Sequence, residues 1–146
     1  MKVQVLGPLS AEVNGGSIVP SAGKPRQILS LFALYPGRVM PVPTLMEELW
    51  GTEPPQSALT TLQTYILQLR RHVGAALGGE GRGSAKEVLA TRHGGYLMQI
   101  PGESVDVHQY ERLAGEGRAA FEGGDDAGAA ERFRRALALW RGPALV

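Results

Sequence analysis

The sequence predicts an α+β fold with an N-terminal antiparallel sheet, three helices and a C-terminal hairpin, followed by a separate all-α helical pair. Three observations carry that reading. Residues 2–20 alternate apolar and polar side chains between turn signals, as half-buried strands do. Three later segments repeat apolar residues at spacings of three and four, the period of a helix packed on one side. The stretch 88–100 then returns to strand-like composition before two further amphipathic segments.

In the first stretch VQVLG, SAEVN and SIVP are separated by Gly7-Pro8 and Asn14-Gly15-Gly16. Asn-Gly between alternating runs is a strong hairpin signal. GKPRQILSLFALYPG reads as a helix: Pro25 suits its first turn, Ile28, Leu31, Phe32 and Tyr35 fill its inner side, and Pro36-Gly37 stop it. Arg38-Val39-Met40 is a short strand or a connector. Pro43 opens a second helix, closed by Gly51, with Leu45, Met46, Leu49 and Trp50 on its apolar side. The polar link GTEPPQ leads to the longest helix, which starts between Pro54 and Ala58 and ends near Gly74. GGEGRGSAK (78–86) has the composition of a flexible loop. VLAT and YLMQI, joined by Arg92-His93-Gly94-Gly95, form a second hairpin. Beyond Pro101-Gly102 lie helices over roughly 106–122 and 126–140, separated by Gly123-Gly124-Asp125.

The longest helix, TTLQTYILQLRRHV (60–73) with Leu59 before it, has two unlike faces. Leu59, Leu62, Ile66, Leu69 and Val73 form a core stripe. Thr60, Thr61, Thr64, Gln68 and Arg71, with Leu67 among them, form the other side. Threonine propagates a helix less well than Glu, Lys or Ala, so a threonine-rich solvated face asks for a use. Three helices, the third longest, closed by a hairpin are the layout of a winged helix-turn-helix, whose third helix lies in the DNA major groove beside its wing. Short hydroxyls allow close approach to DNA, and Gln and Arg can read base edges. The plainer alternative is a solvated face with one exposed leucine.

Net charge is +1, unevenly spread: residues 57–100 hold five Lys/Arg (Arg70, Arg71, Arg82, Lys86, Arg92) against two acids. A modest basic field therefore sits on and after the long helix. The 146 residues contain no cysteine, which excludes disulfides, thiol nucleophiles and thiolate metal sites within them. No signal-like leader and no membrane-length apolar run is present, so the expected location is the cytoplasm, at the nucleoid, with no membrane partner. AGKP lacks the Ser or Thr of a phosphate loop, and GGEGRGSAK separates its Lys from the last Gly. His72, His93 and His108 have no second ligand at helical spacing. Neither a cofactor, a metal nor an enzymatic activity is expected.

LQTYILQLRRHVG followed by ATRHGGYL resembles the recognition helix and wing of OmpR/PhoB-type DNA-binding domains. With VLGPL, GKPRQILSLFAL, VPTLMEELWG, PPQSALTTLQTYILQLRR and GGYLM in that order, the whole chain is similar to the Streptomyces antibiotic regulatory protein (SARP) family. The resemblance implies a winged-helix domain over 1–101 and a helical bacterial transcriptional activation domain starting at 102–146. It implies activation of antibiotic or other secondary-metabolite genes by binding direct repeats in double-stranded DNA, head-to-tail pairing there, and recruitment of RNA polymerase holoenzyme. Carried over by position, DNA contacts fall on Ser57, Thr60, Thr61, Thr64, Gln68, Arg70, Arg71, Lys86, Arg92 and His93. The loop holding Gly51, Thr52, Glu53 and Gln56 would face polymerase. Many relatives carry Arg at the position of Gln68 and a small polar residue at that of Leu67, so base preference does not transfer. OmpR-type regulators place a phosphoacceptor domain before the winged helix, whereas here the winged helix comes first, so phosphorylation control is not implied.

Gly117, Gly124, Ala129, Phe133 and Ala136 match the offsets of a tetratricopeptide (TPR) helical pair, with the late proline displaced to Pro143. Such a pair cannot bury its apolar face alone. It is expected to pack on the winged helix, on a second copy or on further repeats, and the ending RGPALV points to a shortened helical domain. A rival reading keeps the folds but makes the Thr/Leu67 face a protein-docking surface, which would tolerate salt where a phosphate-binding face would not.

Overall fold

The computed structural model describes residues 1–21, 23–78 and 81–145, and side chains there except those of residues 81–84. Strands β1 (Lys2–Gln4), β2 (Ser10–Val13) and β3 (Gly16–Ser17) form an antiparallel sheet in that order. The β2–β3 turn has Asn14 at φ 51° and Gly15 at φ 80°, the doubly positive pair that suits a two-residue hairpin. Helices α1 (Lys24–Leu34) and α2 (Val42–Trp50) flank β4 (Met40–Pro41), and α3 (Ala58–Leu77) follows. Next come α4 (Gly81–Val88) and the hairpin β5 (Leu89–Arg92)–β6 (Gly95–Met98). The second sheet has the order β4-β6-β5, so of the two readings of residues 38–40 the strand holds, shifted to Met40–Pro41, and it ties the wing to the helices. A 3-10 turn (Gly102–Ser104) leads to α5 (Asp106–Glu122) and α6 (Asp126–Ala138).

One core joins both sheets to the three helices. Val3 and Ala11 from the first sheet, and Ile18 just after it, meet Ile28, Phe32, Leu45, Leu62, Ile66, Leu69, Leu89 and Met98. The described residues leave no buried side-chain polar atom unpartnered, as a settled interior requires.

Four expectations are corrected. Residues 81–86, read as part of a loop, are helical; Gly79 and Glu80 of that expectation lie outside the described residues. Gly81 and Gly83 disfavour a helix, but Ala85 is buried in the core and α4 packs along α3. The long helix runs past Gly74 to Leu77, because its end is held by the β2–β3 hairpin: Asn14 Nδ2 donates to Ala76 O at 3.4 Å. Leu59 is not in the core stripe; Ala58 takes that place and Leu59 is 49% exposed. In α1 the buried positions are Ile28, Leu29, Phe32 and Ala33, and Tyr35 lies outside the helix, exposed.

The helical pair is closed as its pattern predicts. A Cβ on Gly117 would come within 2.6 Å of the Phe133 ring, and Ala129 and Ala136 are buried. Asp125 caps α6 by accepting from Gly128 N at 2.9 Å. Of the three packing options, the pair uses the winged helix. Asp106, 4% exposed, accepts from Val5 N at 2.8 Å and Leu6 N at 3.1 Å. Arg141 returns with its N–H to Leu6 O at 2.8 Å and its guanidinium to Pro8 O. Phe121 remains 64% exposed, so this docking does not cover the whole apolar face. No described helix is long and apolar enough to cross a membrane.

Candidate nucleic-acid interface

Helix α3 buries Ala58, Leu62, Ile66, Leu69 and Val73, which fixes what points outward. Thr60, Gln63, Thr64, Leu67, Gln68 and Arg71 are all exposed along one side. Thr61, at the edge, is half-buried. Gln63 belongs to this face although the sequence reading does not single it out; its place four residues before Leu67 is the signal that finds it. Leu67, 47% exposed, stands near the middle of the face between polar neighbours. The Thr64 hydroxyl donates to Thr60 O at 3.1 Å, so its donor is used within the helix. What Thr64 offers outward is a methyl group and the oxygen's remaining lone pair.

Ser57, at the start of α3, is exposed and makes no side-chain cap bond. The preceding loop is set by Gly51, whose φ of 62° ends α2 while its N–H bonds Glu47 O at 2.7 Å. Gly51, Thr52, Glu53 and Gln56 are all exposed. Behind them Trp50 stacks on Tyr65 with centroids 6.5 Å apart, and Lys24 lies over the Trp50 ring.

The wing places Arg92 at the end of β5 and His93 in the two-residue turn, both exposed. Gly95 faces Arg92 and Pro41 across the sheet, and a Cβ there would run into the Met40 carbonyl oxygen. Only glycine lets β4 and β6 approach so closely. Lys86 is exposed in the last turn of α4, not in a loop as expected. Arg70 differs from the other cations. Its Nε donates to Leu89 O at 2.8 Å and its Nη2 to Thr91 Oγ1 at 2.8 Å, and its guanidinium carbon sits 6.0 Å from the Tyr96 ring centre. Burial lowers its pKa from the ordinary arginine value, opposed by the nearby Tyr96. The structure therefore turns Arg70 onto the wing.

Charge is arranged differently in the two parts. The four Arg–carboxylate ion pairs among the described residues all lie within residues 103–134, where Arg112, for example, is held charged by Glu103 and Glu116. Arg71, Lys86 and Arg92 have no acidic partner among the described residues.

Comparison with known proteins agrees with this geometry. The family described as "Transcriptional regulatory protein, C terminal" matches residues 16–98, and the "Bacterial transcriptional activator domain" matches residues 105–146. The chain is 58% identical over its full length to Regulatory protein DnrI of Streptomyces peucetius, covering 54% of that protein. It is 34% identical to Transcriptional regulator RedD of Streptomyces coelicolor, again over its full length and over 41% of the relative. The chain thus spans about half the length of the curated relatives it matches. Among solved structures, Mycobacterium tuberculosis EmbR in complex with a low-affinity phosphopeptide superposes with a TM-score of 0.87 at 30% identity, over 99% of this chain and 37% of that one. RedD and EmbR are by name regulators of transcription, and DnrI is by name a regulatory protein. The winged helix with its exposed third helix, the helical pair docked behind it and the two matched domains lead to one assignment: the chain belongs to the transcriptional regulatory protein C-terminal family, joined to a bacterial transcriptional activator domain as in the Streptomyces antibiotic regulatory proteins.

Proposed function

We propose that this chain is a sequence-specific DNA-binding transcriptional activator, with a DNA-binding domain over 1–101 and the start of a helical activation domain over 102–146. The observation that carries the reading is the uncovered Thr/Gln/Arg face of α3 beside an exposed hairpin whose cations have no acidic partner among the described residues. In this reading α3 enters the major groove. Gln68 pairs with adenine, Arg71 with guanine or phosphate, and Leu67 with the methyls of Thr60 and Thr64 meets thymine methyl groups. Thr61 borders the contact. Ser57 and Lys86 meet phosphates, and Arg92 and His93 reach the flanking backbone or minor groove.

The same reading extends to partners. The exposed loop of Gly51, Thr52, Glu53 and Gln56 faces RNA polymerase, and two copies bind head to tail on direct repeats at promoters of biosynthetic genes, in the cytoplasm at the nucleoid. Titrating the chain into a labelled duplex with two direct repeats, beside a scrambled duplex, across a salt series tests it. Binding should prefer the repeats, and its logarithm should fall against log salt with a slope of roughly −3 per copy for three cationic phosphate contacts. Equal and salt-insensitive binding to both duplexes would sink the proposal and favour a protein-docking role for the α3 face.

A further inference from the structure

We infer that Arg70 is a positioning residue that clips the wing to the recognition helix, so that Arg92 and His93 meet DNA at a fixed distance from the groove α3 enters. The inference rests on the DNA-binding reading and goes beyond it. Arg70 is on α3, yet its guanidinium engages both strands of the hairpin: Leu89 O and Thr91 Oγ1 on β5, and the Tyr96 ring on β6. Thr91 and Tyr96 are cross-strand partners, and Arg92 follows Thr91 directly. The opposite edge of the wing is already tied, through Met40↔Tyr96 and Val42 N donating to Gly94 O at 3.0 Å. Arg70 supplies the polar tie on the α3 side. A planar fork with donors along two directions suits that task, and an ammonium does not reproduce it.

A phosphate contact makes the opposite prediction. Lysine would serve such a contact in large part as a point charge, and its loss would add to the loss of Arg92. A clip acts through Arg92 and His93, so its loss and theirs should not add. Arg70→Lys, Arg92→Ala and the double variant are therefore compared on the direct-repeat duplex, by affinity and by hydroxyl-radical and dimethyl-sulfate footprints. Arg70→Lys should lose the wing's protection of the flanking minor groove while guanine protection in the major groove persists. Its affinity should drop by about as much as that of Arg92→Ala, and the double variant should be no weaker than either, a coupling of roughly fivefold to tenfold. Thr91→Val, which removes one acceptor and keeps the shape, should show a partial effect.

A DNA-free arm separates the two ideas. Amide exchange of Thr91, Arg92 and Gly95 should speed up in Arg70→Lys while that of buried α3 residues stays unchanged. If the unaltered chain fails to prefer the repeats yet the wing amides loosen, the clip stands and the DNA reading falls. If Arg70→Lys keeps its flanking footprint, combines additively with Arg92→Ala, or leaves wing exchange unchanged, the clip is wrong.

Discussion

Gln68 and Arg92 are both exposed polar side chains, but they stand on different supports, and their losses should differ in kind. Gln68 projects from a rigid helix whose inner side is packed, so it can hold a fixed register against base edges. Replacing it with alanine should relax base preference at one position by about 1–3 kcal/mol, measured as the affinity ratio between operator variants. Arg92 stands exposed at the hairpin end, and in the proposed reading its charge meets the DNA backbone. Arg92→Ala should weaken all duplexes alike and reduce the salt slope by about one. If instead Arg92→Ala alters preference among operators and Gln68→Ala does not, the two roles are reversed. Thr64 shows how a residue's chemistry is narrowed by its neighbours. Its hydroxyl proton is taken by Thr60 O, so a reading that needs Thr64 as a donor is excluded unless the bond breaks.

At the scale of elements, the wing depends on close backbone approach more than on side chains. Gly95 pairs with Pro41 on one side and Arg92 on the other, and a Cβ would run into the Met40 carbonyl, which is backbone and cannot swing aside. Gly95→Ala should part β4 from β6, lowering stability by about 1–3 kcal/mol in a denaturant melt and loosening the wing tip. Unchanged stability would mean that the sheet has room it does not show. Helix α4 teaches a related point. Its glycines and polar residues carry the composition of a loop, yet Ala85 sinks into the core and the segment lies along α3. Tertiary contact overrides local propensity there. The long helix outruns Gly74 for the same reason, since a hairpin 62 residues earlier in the chain, at Asn14, bonds to Ala76 in its last turn.

For the whole molecule, the junction between the winged helix and the helical pair combines the Val3↔Val105 bridge with one buried carboxylate and a returning segment. Asp106 serves two backbone N–H groups of the loop after β1, and Arg141 and Leu145 bond to the carbonyls of that same loop. Gly7, at φ 142°, leaves space there that a Cβ would take from the Arg141 side chain. Asp106→Ala strands two buried donors and should cost about 2–5 kcal/mol, with the helical pair exchanging amide hydrogens faster than the winged helix. Uniform loss across both parts would instead mean that they fold as one cooperative unit.

The amino-acid sequence by itself determined the order of elements apart from α4, the packed stripe of α3 from Leu62 to Val73, the TPR-like closure of α5 on α6 and most of the face that points outward. Each of these is written in local periodicity and turn chemistry, which a chain carries without reference to distant residues. The tertiary structure alone decided that Leu59 is outside the core, that 81–88 is helical, that the helical pair sits on the β1–β2 loop, and that Arg70 faces the wing. A helical wheel gives the direction of Arg70 but not what lies in that direction. Only folding brings Leu89, Thr91 and Tyr96, some twenty residues away, to a guanidinium that the sequence presents as one more surface cation.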